Sequence, residues 1–394
     1  MAQLPLITGR KCTVAKRIRS IMDRIKTLGK VAGPIAFDHD IGIMHTETRA
    51  AAFIEGIATD SRVCILYHAD ADGICAGTQL FLLMKERGHA SARALPLGRG
   101  ENPFSPATRQ QLSAMRPDDL IVVDSGSRQG KFPEPVRTLI IDHHVPDGIP
   151  EADIFFNTFL DETGRVASEA VFDLVNRVRP ESSREWMAIV GAAGDRGIGR
   201  IPARFSQGIN YYGKKNLQET LSLVNAARRH ESWRVGETFD LLVTAYSPVQ
   251  FNQAARKAGF RQLQAEVSAE VKRHLKHPPR FHDRFALVEL SSPHQVHPLI
   301  ATIWAGKLQK HVVIAANHGF LPGRVNFSMR TRVKTDLLEL LKACRADARE
   351  IGFGHKQATG GIVDMAEFNS LLKRLGFDES TVGPSAEPDS GKKG

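Results

Sequence analysis

The sequence predicts an α/β protein in which a mostly parallel sheet is joined through a helical region to a smaller α/β domain. From residue 62 onward, short continuous apolar segments alternate with segments of helical periodicity. This alternation is typical of a parallel sheet that helices cover on both faces. Residues 183–280 show no strand pattern and are largely helical, and strand patterns return after residue 282, which indicates a second domain.

The first domain contains four apolar segments with the length of buried strands, bounded by polar or turn-forming residues: 62–67, 119–123, 137–141 and 154–156. Segments with helical periodicity lie between and after them: 74–87, 105–115 and 166–178. Because the strands are apolar throughout rather than alternating, we expect both faces of this sheet to be buried.

The helical region and the second domain follow. Residues 251–276 are rich in helix-forming residues and predict one long connecting helix that ends before Pro278. The second domain contains strand patterns at 285–290, 311–315 and 324–328. The predicted organisation is therefore a basic helical extension (1–60), a first α/β domain (61–200), a helical connector (201–281), a second domain (282–377) and a disordered tail (378–394).

Composition restricts the class of protein. The 394 residues carry a formal net charge of +10, which favours an anionic partner, and the hydrophobic fraction of 42% is ordinary for a globular protein. The four cysteines form no CxxC pair, so neither a zinc ribbon nor a disulfide framework is predicted. No apolar run has the length of a membrane span, and residues 1–20 lack a signal-peptide core. We therefore expect a cytoplasmic protein that does not bind membranes.

Acidic and imidazole side chains follow each of the first three predicted strands. Because the carboxyl ends of parallel strands lie at one edge of a sheet, where ligands bind, these three segments should converge on one cleft. The converging residues are His68, Asp70, Asp72, Asp124, Asp142, His143 and His144.

So many carboxylates in one cleft would repel one another without a cation. Carboxylates with imidazoles suit Mn²⁺ or Mg²⁺, and Asp124, on the central strand, is the residue expected to bridge two ions about 3.5–4 Å apart. Asp195, in a glycine-rich segment, would complete the site. A single Asp at such a position is usually a helix cap, and that interpretation stays open for Asp195. His68 is either a ligand, a residue that orients a ligand or a loop histidine.

The same residues, in the same order, resemble a DHH-family phosphoesterase of the RecJ-like branch. The resemblance lies in the carboxylate segments after the three strands and in Asp195. Among them, Asp142-His143-His144 is similar to the motif that names the family. The second domain resembles the DHH-associated C-terminal domain: residues 352–361 are similar to its GGGHxxAAG loop, with Phe353 and Thr359 as departures, and residues 328–331 are similar to its S-x-R-S segment.

The resemblance implies a site in the cleft between the two domains, with two divalent cations, Mn²⁺ before Mg²⁺. It implies that the metal ligands are Asp70, Asp72, Asp124, His143 and Asp195. Asp142 would support the site, and His144 would contact a metal or the scissile phosphate. The implied substrate-binding residues are Ser328, Arg330, Gly354, His355 and Gly360.

The function expected is a divalent-metal-dependent exonuclease acting on single-stranded DNA or RNA. The net charge and the basic stretches at 10–30 and 254–276 favour nucleic acid, although residues 10–30 would equally form an amphipathic helix packed on the first domain. One alternative is a nanoRNase-like phosphoesterase acting on short oligonucleotides, dinucleotides or 3′-phosphoadenosine 5′-phosphate. Another is a catalytically inactive replication factor that binds nucleic acid. Neither polarity nor protein partners are predicted, and His89, His230 and His282 are expected to be ordinary surface histidines.

Overall fold

Two β-sheets organise the part of the chain that the structure, a computed structural model, describes. The described residues are 42–133, 136–161, 163–344 and 351–377, with the backbone alone for 42–45 and 351–355. The basic helix predicted at 10–30 and the tail predicted at 378–394 lie outside these ranges. None of the helices in the described ranges has the length and hydropathy of a membrane span.

The first sheet has five strands, and every neighbouring pair is parallel, as the sequence predicted. The spatial order is β2-β1-β3-β4-β5. The strands are β1 (Val63–Tyr67), β2 (Arg93–Pro96), β3 (Asp119–Val123), β4 (Arg137–Asp142) and β5 (Ile154–Asn157). The short strand β2 was missed by the sequence prediction because half of its residues are polar or proline.

Helices cover both faces of this sheet. They are α1 (Gly42–Glu55), α2 (Ala71–Glu86), α3 (Pro106–Met115), α4 (Ala167–Val178) and α5 (Glu185–Arg196). Successive residues of a strand point to opposite faces, so Ile65 and Tyr67 join one apolar core and Leu66 joins another. Burial on both faces explains why β1, β3 and β4 are apolar runs and not alternating patterns.

Five helices form the connector: α6 (Ser206–Tyr212), α7 (Lys214–Arg229), α8 (Val235–Thr244), α9 (Pro248–Lys257) and α10 (Phe260–His274). The single long helix predicted over 251–276 is wrong. Gly259 adopts a left-handed conformation with φ of +81° and separates α9 from α10. The two helices fold back onto α7, where Arg256 and Arg261 both pair with Glu219.

The second sheet has six strands in the order β10-β11-β9-β8-β7-β6, and only β7 and β8 run parallel. Its strands are β6 (Arg280–His282), β7 (Phe285–Leu290), β8 (Val312–Asn317), β9 (Val325–Thr331), β10 (Ile351–His355) and β11 (Ala358–Val363). Its helices are α11 (His297–Lys307), α12 (Leu337–Ala343) and α13 (Met365–Arg374). This mixed sheet with helices agrees with the smaller α/β domain that was predicted.

The glycine-rich loop predicted at 352–361 is instead a pair of antiparallel strands. Strand β11 lies between β10 and β9, so its backbone pairs with strands on both sides and does not form an open loop. At Gly360 an added Cβ would lie 2.3 Å from the carbonyl oxygen of Phe327. This glycine is therefore explained by the close approach of two strands.

Candidate metal centre

The predicted site residues meet at the carboxyl edge of the first sheet, where the strand order changes direction between β1 and β3. Such a switch point is where open parallel sheets bind ligands. Asp70 follows β1 and caps α2, because its Oδ1 accepts hydrogen bonds from the N–H groups of Asp72 and Gly73 at 3.1 and 3.0 Å. Asp124 follows β3 directly, and β3 is the central strand of the sheet.

Asp124 has the most unusual environment of these side chains. Its φ is +60°, a conformation that is uncommon for residues other than glycine but is tolerated by Asp. The side chain is buried, and neither carboxylate oxygen has a hydrogen-bond partner among the described residues. A buried carboxylate without donors is costly unless a cation compensates it, so this residue fits a metal ligand.

One imidazole lies at the centre of the carboxylates. The His143 Nε2 atom is 3.2 Å from Oδ1 of Asp124, 3.3 Å from Oδ2 of Asp195 and 3.7 Å from Oδ2 of Asp72. Burial lowers the pKa of His143, but the close contact with Asp124 and the charges of the surrounding carboxylates outweigh it and raise the pKa to about 10. The carboxylates of Asp72, Asp124 and Asp195 therefore favour a positive charge at this position.

His68 forms a second group with the other side of Asp124. Its Nδ1 is 3.2 Å from Oδ2 of Asp70 and 3.4 Å from Oδ2 of Asp124. Thus Oδ1 of Asp124 faces His143 and Oδ2 faces His68. Both sets have ligand atoms close enough to hold one ion: His68, Asp70 and Asp124 on one side, and Asp72, His143 and Asp195 on the other.

Asp72 and Asp195 come together through the packing of helices. Asp72 also accepts hydrogen bonds from the N–H groups of Ala167 and Ser168 at 2.8 and 3.0 Å, so it holds the first turn of α4. Burial first, and then the charges of Asp124 and Asp195, raise the pKa of Asp72. Burial likewise raises the pKa of Asp195 to about 6, against the influence of His143. Shared carboxylate repulsion of this kind is what a bound cation relieves.

Asp142 holds His143, His144 and Ser127 in place through hydrogen bonds. Its Oδ2 accepts hydrogen bonds from the N–H and the hydroxyl of Ser127 at 3.0 and 2.6 Å. Its Oδ1 accepts from the N–H of His143 at 2.8 Å and lies 2.8 Å from Nδ1 of His144. Burial opposes its ionisation, but the His144 imidazole and these hydrogen bonds keep the pKa of Asp142 well below its usual range. Both oxygens of Asp142 are thus occupied by protein donors.

Asn157, at the end of β5, is a polar residue that the sequence interpretation missed. Its Nδ2 donates to Oγ of Ser127 at 2.8 Å and to the carbonyl oxygen of His144 at 3.0 Å. It is buried, and it links the end of β5 to the segments that follow β3 and β4. An Asn in this position carries no sequence signal beyond its place at a strand end.

Three partly buried arginines lie around His297. They are Arg228 and Arg229 at the end of α7 and Arg330 on β9, and none of the three has an ion pair with a described carboxylate. Burial lowers the pKa of Arg330, and burial followed by the charge of Arg228 lowers the pKa of Arg229 to about 9. Burial and the same three arginines lower the pKa of His297 to about 3. We call Arg228, Arg229 and Arg330 the arginine cluster.

Arg228 and Arg330 have different neighbours. Burial lowers the pKa of Arg228, while the charges of Asp70, Asp195 and Asp124 raise it, so this guanidinium lies within electrostatic range of the carboxylates. Arg330 donates to the carbonyl oxygens of Met329 and Thr359 at 2.9 and 3.1 Å. Sequence reasoning singled out Arg330 and missed the other two, because two basic residues in the last turn of a helix are an ordinary pattern.

The remaining predicted substrate residues lie on neighbouring strands of the second sheet. Ser328 is buried on β9, opposite Gly360 on β11. Gly354 and His355 belong to the edge strand β10, of which the backbone alone is described, and pair with Thr359 and Ala358.

Two histidines outside the metal centre were wrongly expected at the surface. His89 and His230 are buried, whereas His282 is exposed. The rings of His230 and His294 are tilted by 35° against each other, with centroids 4.5 Å apart. With Glu231 they form another group with metal-binding spacing. In this group Nδ1 of His294 accepts from the N–H of Glu231, and Nε2 of His230 lies 2.6 Å from Glu266. Protein partners thus satisfy these nitrogens.

The first domain matches one known family, and the chain as a whole is similar to several solved structures. Residues 62–193 match the DHH family, N-terminal domain. No curated protein sequence matches the chain. Among solved structures, RecJ in complex with Mn²⁺ from Thermus thermophilus is 17% identical, with a TM-score of 0.63. The match covers 95% of this chain and 61% of that RecJ, so the chain spans less than two thirds of its length.

Two further structures are similar over nearly their whole length. An exonuclease RecJ bound to manganese is 19% identical with a TM-score of 0.55, over 84% of this chain and 93% of that one. A DHH domain from a protein described as a member of a family of ribosomal proteins is 15% identical with a TM-score of 0.62, over 92% of this chain and 98% of that one. At these identities the likeness is one of fold. Residues 62–193 therefore match a DHH-family N-terminal domain, and the chain has a RecJ-like two-domain α/β fold.

Proposed function

We propose that the protein is a metal-dependent phosphodiesterase that hydrolyses single-stranded nucleic acid from an end. The observation that carries the proposal is the placement of Asp124. Its two buried oxygens lack protein hydrogen-bond donors among the described residues and face two different sets of histidine and carboxylate ligands. A carboxylate shared in this way is what holds a pair of divalent ions.

The ligand sets follow from the distances. His68, Asp70 and Asp124 would hold one ion, and Asp72, Asp124, His143 and Asp195 the other. Oxygen donors with a few imidazoles suit Mn²⁺ or Mg²⁺, and the two RecJ structures described above were solved with manganese. A pair of divalent ions held by these residues would supply the activation of water and the charge stabilisation that hydrolysis of a phosphodiester requires.

The protein's own side chains would position the substrate. Asp142 fixes the ring of His144 through Nδ1, and the partly exposed His144 is the residue we assign to the scissile phosphate. Ser328, Gly360 and the arginine cluster, on the opposite side, would bind the substrate phosphates. Guanidinium groups that lack carboxylate partners are suited to this role, because each phosphate replaces water around a buried cation.

The structure gives less support than the sequence for a nucleic-acid contact along residues 254–276. Arg256 and Arg261 both pair with Glu219, and Arg273 pairs with Glu270. These arginines are therefore partly neutralised on the protein's own surface. The support for a polymeric substrate rests on the net charge of +10 and on the arginine cluster in the cleft.

A substrate panel tests the proposal. The purified protein with Mn²⁺ is offered end-labelled single-stranded DNA and RNA, dinucleotides and 3′-phosphoadenosine 5′-phosphate. We expect mononucleotides to be released from the labelled strands. Turnover confined to dinucleotides or the bisphosphate would show a nanoRNase-like enzyme instead. Tight strand binding without any turnover would show an inactive binding protein.

A further inference from the structure

The turn that follows β5 has a fixed shape. The Oδ1 atom of Asn157 accepts hydrogen bonds from the N–H groups of Phe159 and Leu160 at 2.9 and 3.2 Å. The carbonyl oxygen of Asn157 accepts from the N–H groups of Leu160 and Asp161 at 3.1 and 3.2 Å. An Asx-type turn of this kind holds its backbone in one conformation. The backbone that carries Phe159 and Leu160 is therefore held in place.

Both side chains at the tip of this turn are apolar and exposed. Phe159 is 39% exposed and Leu160 is 37% exposed. Single exposed apolar residues are common on protein surfaces and require no explanation. Two adjacent exposed apolar residues on a hydrogen-bonded turn are less usual. Their position beside the metal centre suggests a role in binding.

The turn begins beside the residues that position the scissile phosphate. Asn157 pairs with Asp142 in the sheet register, and its Nδ2 donates to the carbonyl oxygen of His144. Phe159 is thus two residues from a side chain that touches the backbone of His144. Because β5 is the outermost strand of the first sheet, this turn forms the outer rim of the carboxyl edge.

Contacts to the connector and to the second domain are found at the other end of that edge. Arg99, which follows β2, donates to the carbonyl oxygens of His230 and Glu231 and stacks over Phe320 at 4.9 Å. Strand β2 is at the opposite side of the sheet from β5. A nucleic-acid strand whose scissile phosphate lies at His144 therefore has two directions available. One leads to the arginine cluster and the second domain, and the other leads outward across β4 and β5.

We infer that Phe159, with Leu160 beside it, stacks a nucleobase of the part of the strand that extends outward from the scissile bond. This inference rests on the proposed function and adds a specificity-determining residue to it. Aromatic rings are the surfaces on which single-stranded bases stack, and such contacts are tolerant of sequence because every base has a flat face. Asn157 connects the turn that carries Phe159 to the backbone of His144. A base stacked on Phe159 would therefore help to position the phosphate that precedes it.

The test compares strand lengths. Values of kcat/KM with Mn²⁺ are measured on a single strand of about 12 nucleotides and on a dinucleotide. The proteins are the wild type, Phe159→Ala, Phe159→Leu, Phe159→Trp and the control Phe281→Ala. Phe281 is 54% exposed on β6 of the other sheet, far from the carboxyl edge in the chain's topology. All the substituted side chains are exposed, so the variants should fold.

We expect Phe159→Ala to lower kcat/KM on the long strand roughly 5- to 150-fold, mainly through KM, and to lower it much less on the dinucleotide. Phe159→Leu should show the same loss, and Phe159→Trp should restore activity. An abasic site at one position of the strand should weaken the wild type and have little further effect on Phe159→Ala.

Three outcomes would overturn the stacking role: equal losses on both substrate lengths, no loss at all, or restoration by Leu as good as by Trp. A loss of the same size in Phe281→Ala would overturn it as well. These results are distinct from failure of the proposed function, which would appear in the wild type alone as an absence of cleavage of the long strand.

Discussion

At the scale of single residues, Asp124 shows how a functional requirement overrides local preference. It combines a φ of +60°, near-complete burial and two carboxylate oxygens without donors among the described residues. Each of these features costs free energy in the folded protein. A pair of cations around the carboxylate would compensate for all of them, which is the physical basis for placing Asp124 at the centre of the site.

Asp124→Asn tests this assignment. Asn tolerates a positive φ, and it removes one negative charge from the neighbourhood of Asp72 and Asp195. In EDTA we therefore expect the variant to melt at a higher temperature than the wild type. Addition of Mn²⁺ should raise the melting temperature of the wild type and have little effect on the variant. Turnover should fall by roughly 10²–10³-fold or more, the scale of losing one electrostatic stabiliser. An undiminished Mn²⁺ shift in the variant would remove Asp124 from the ligand set.

Asp142→Asn separates a supporting residue from a ligand. An amide at this position would direct an N–H₂ group at donors that now bond the carboxylate, from Ser127, His143 and His144. Loss of such buried hydrogen bonds costs about 1–3 kcal/mol, which urea unfolding in EDTA measures. Calorimetric titration should still find the wild-type number of Mn²⁺ ions. If stability is unchanged and one ion is lost, Asp142 is a ligand.

The site residues differ in how far the sequence predicts them. Asp70, Asp124 and His143 are predictable because each follows an apolar strand closely, and the ends of parallel strands must meet. The second task of Asp72, holding the first turn of α4 at Ala167, is not predictable, since it joins positions 95 residues apart. The role of Arg229 is not predictable either, because basic residues are common in the last turn of a helix.

At the scale of elements, close packing of α5 against α2 delivers Asp195 to the site. A Cβ added at Gly191 would lie 2.2 Å from Oγ of Ser168 and 3.0 Å from Oδ1 of Asp72, and one added at Gly194 would lie 2.8 Å from Cβ of Ala71. Gly191 therefore allows α5 to approach α4 and Asp72 of α2, and Gly194 allows it to approach the first turn of α2, more closely than larger residues would. The glycine-rich segment is a helix-packing surface and not a loop.

Gly191→Ala should separate these helices. We expect the free energy of unfolding to fall by about 1–3 kcal/mol, as for other overpacked interiors, and the affinity for Mn²⁺ to fall because Asp195 moves away from His143. Gly236→Ala in α8 is the matched control, since an added Cβ there meets no atom within 4 Å. The control should keep wild-type Mn²⁺ affinity. Wild-type affinity in Gly191→Ala as well would show that this packing does not position Asp195.

Strands were easier to predict than breaks and hairpins. The buried strands β1, β3 and β7 appear in the sequence as continuous apolar runs. The break at Gly259 was missed because the residues on both sides favour helix equally. A loop was predicted in place of strands β10 and β11 because four of their residues are glycine, and the contact that requires Gly360 is with Phe327, far away in the sequence.

At the scale of the whole molecule, carboxylates at the edge of the first sheet lie near arginines that have no ion pair with a described carboxylate. The carboxylates repel one another, and so do the arginines of the cluster. On the proposed function, metal ions would stabilise the first set and substrate phosphates the second. We expect the folded protein to gain stability from each ligand by mass action.

Arg229→Met tests whether the arginine cluster binds the substrate phosphates. The residue is desolvated beside Arg228, and its Nε has no hydrogen-bond partner among the described residues. Without phosphate we therefore expect Arg229→Met to be at least as stable as the wild type. Inorganic pyrophosphate should raise the melting temperature of the wild type more than that of the variant. An equal rise in both proteins would place the substrate phosphates elsewhere.

The most direct test of the metal centre is anomalous diffraction at the manganese edge from crystals soaked in Mn²⁺. Two peaks about 3.5–4 Å apart, one on the His68 and Asp70 side of Asp124 and one on the Asp72, His143 and Asp195 side, are the predicted result. A single peak, or peaks that Asp124 does not bridge, would contradict the two-metal centre on which the proposed phosphodiesterase activity depends.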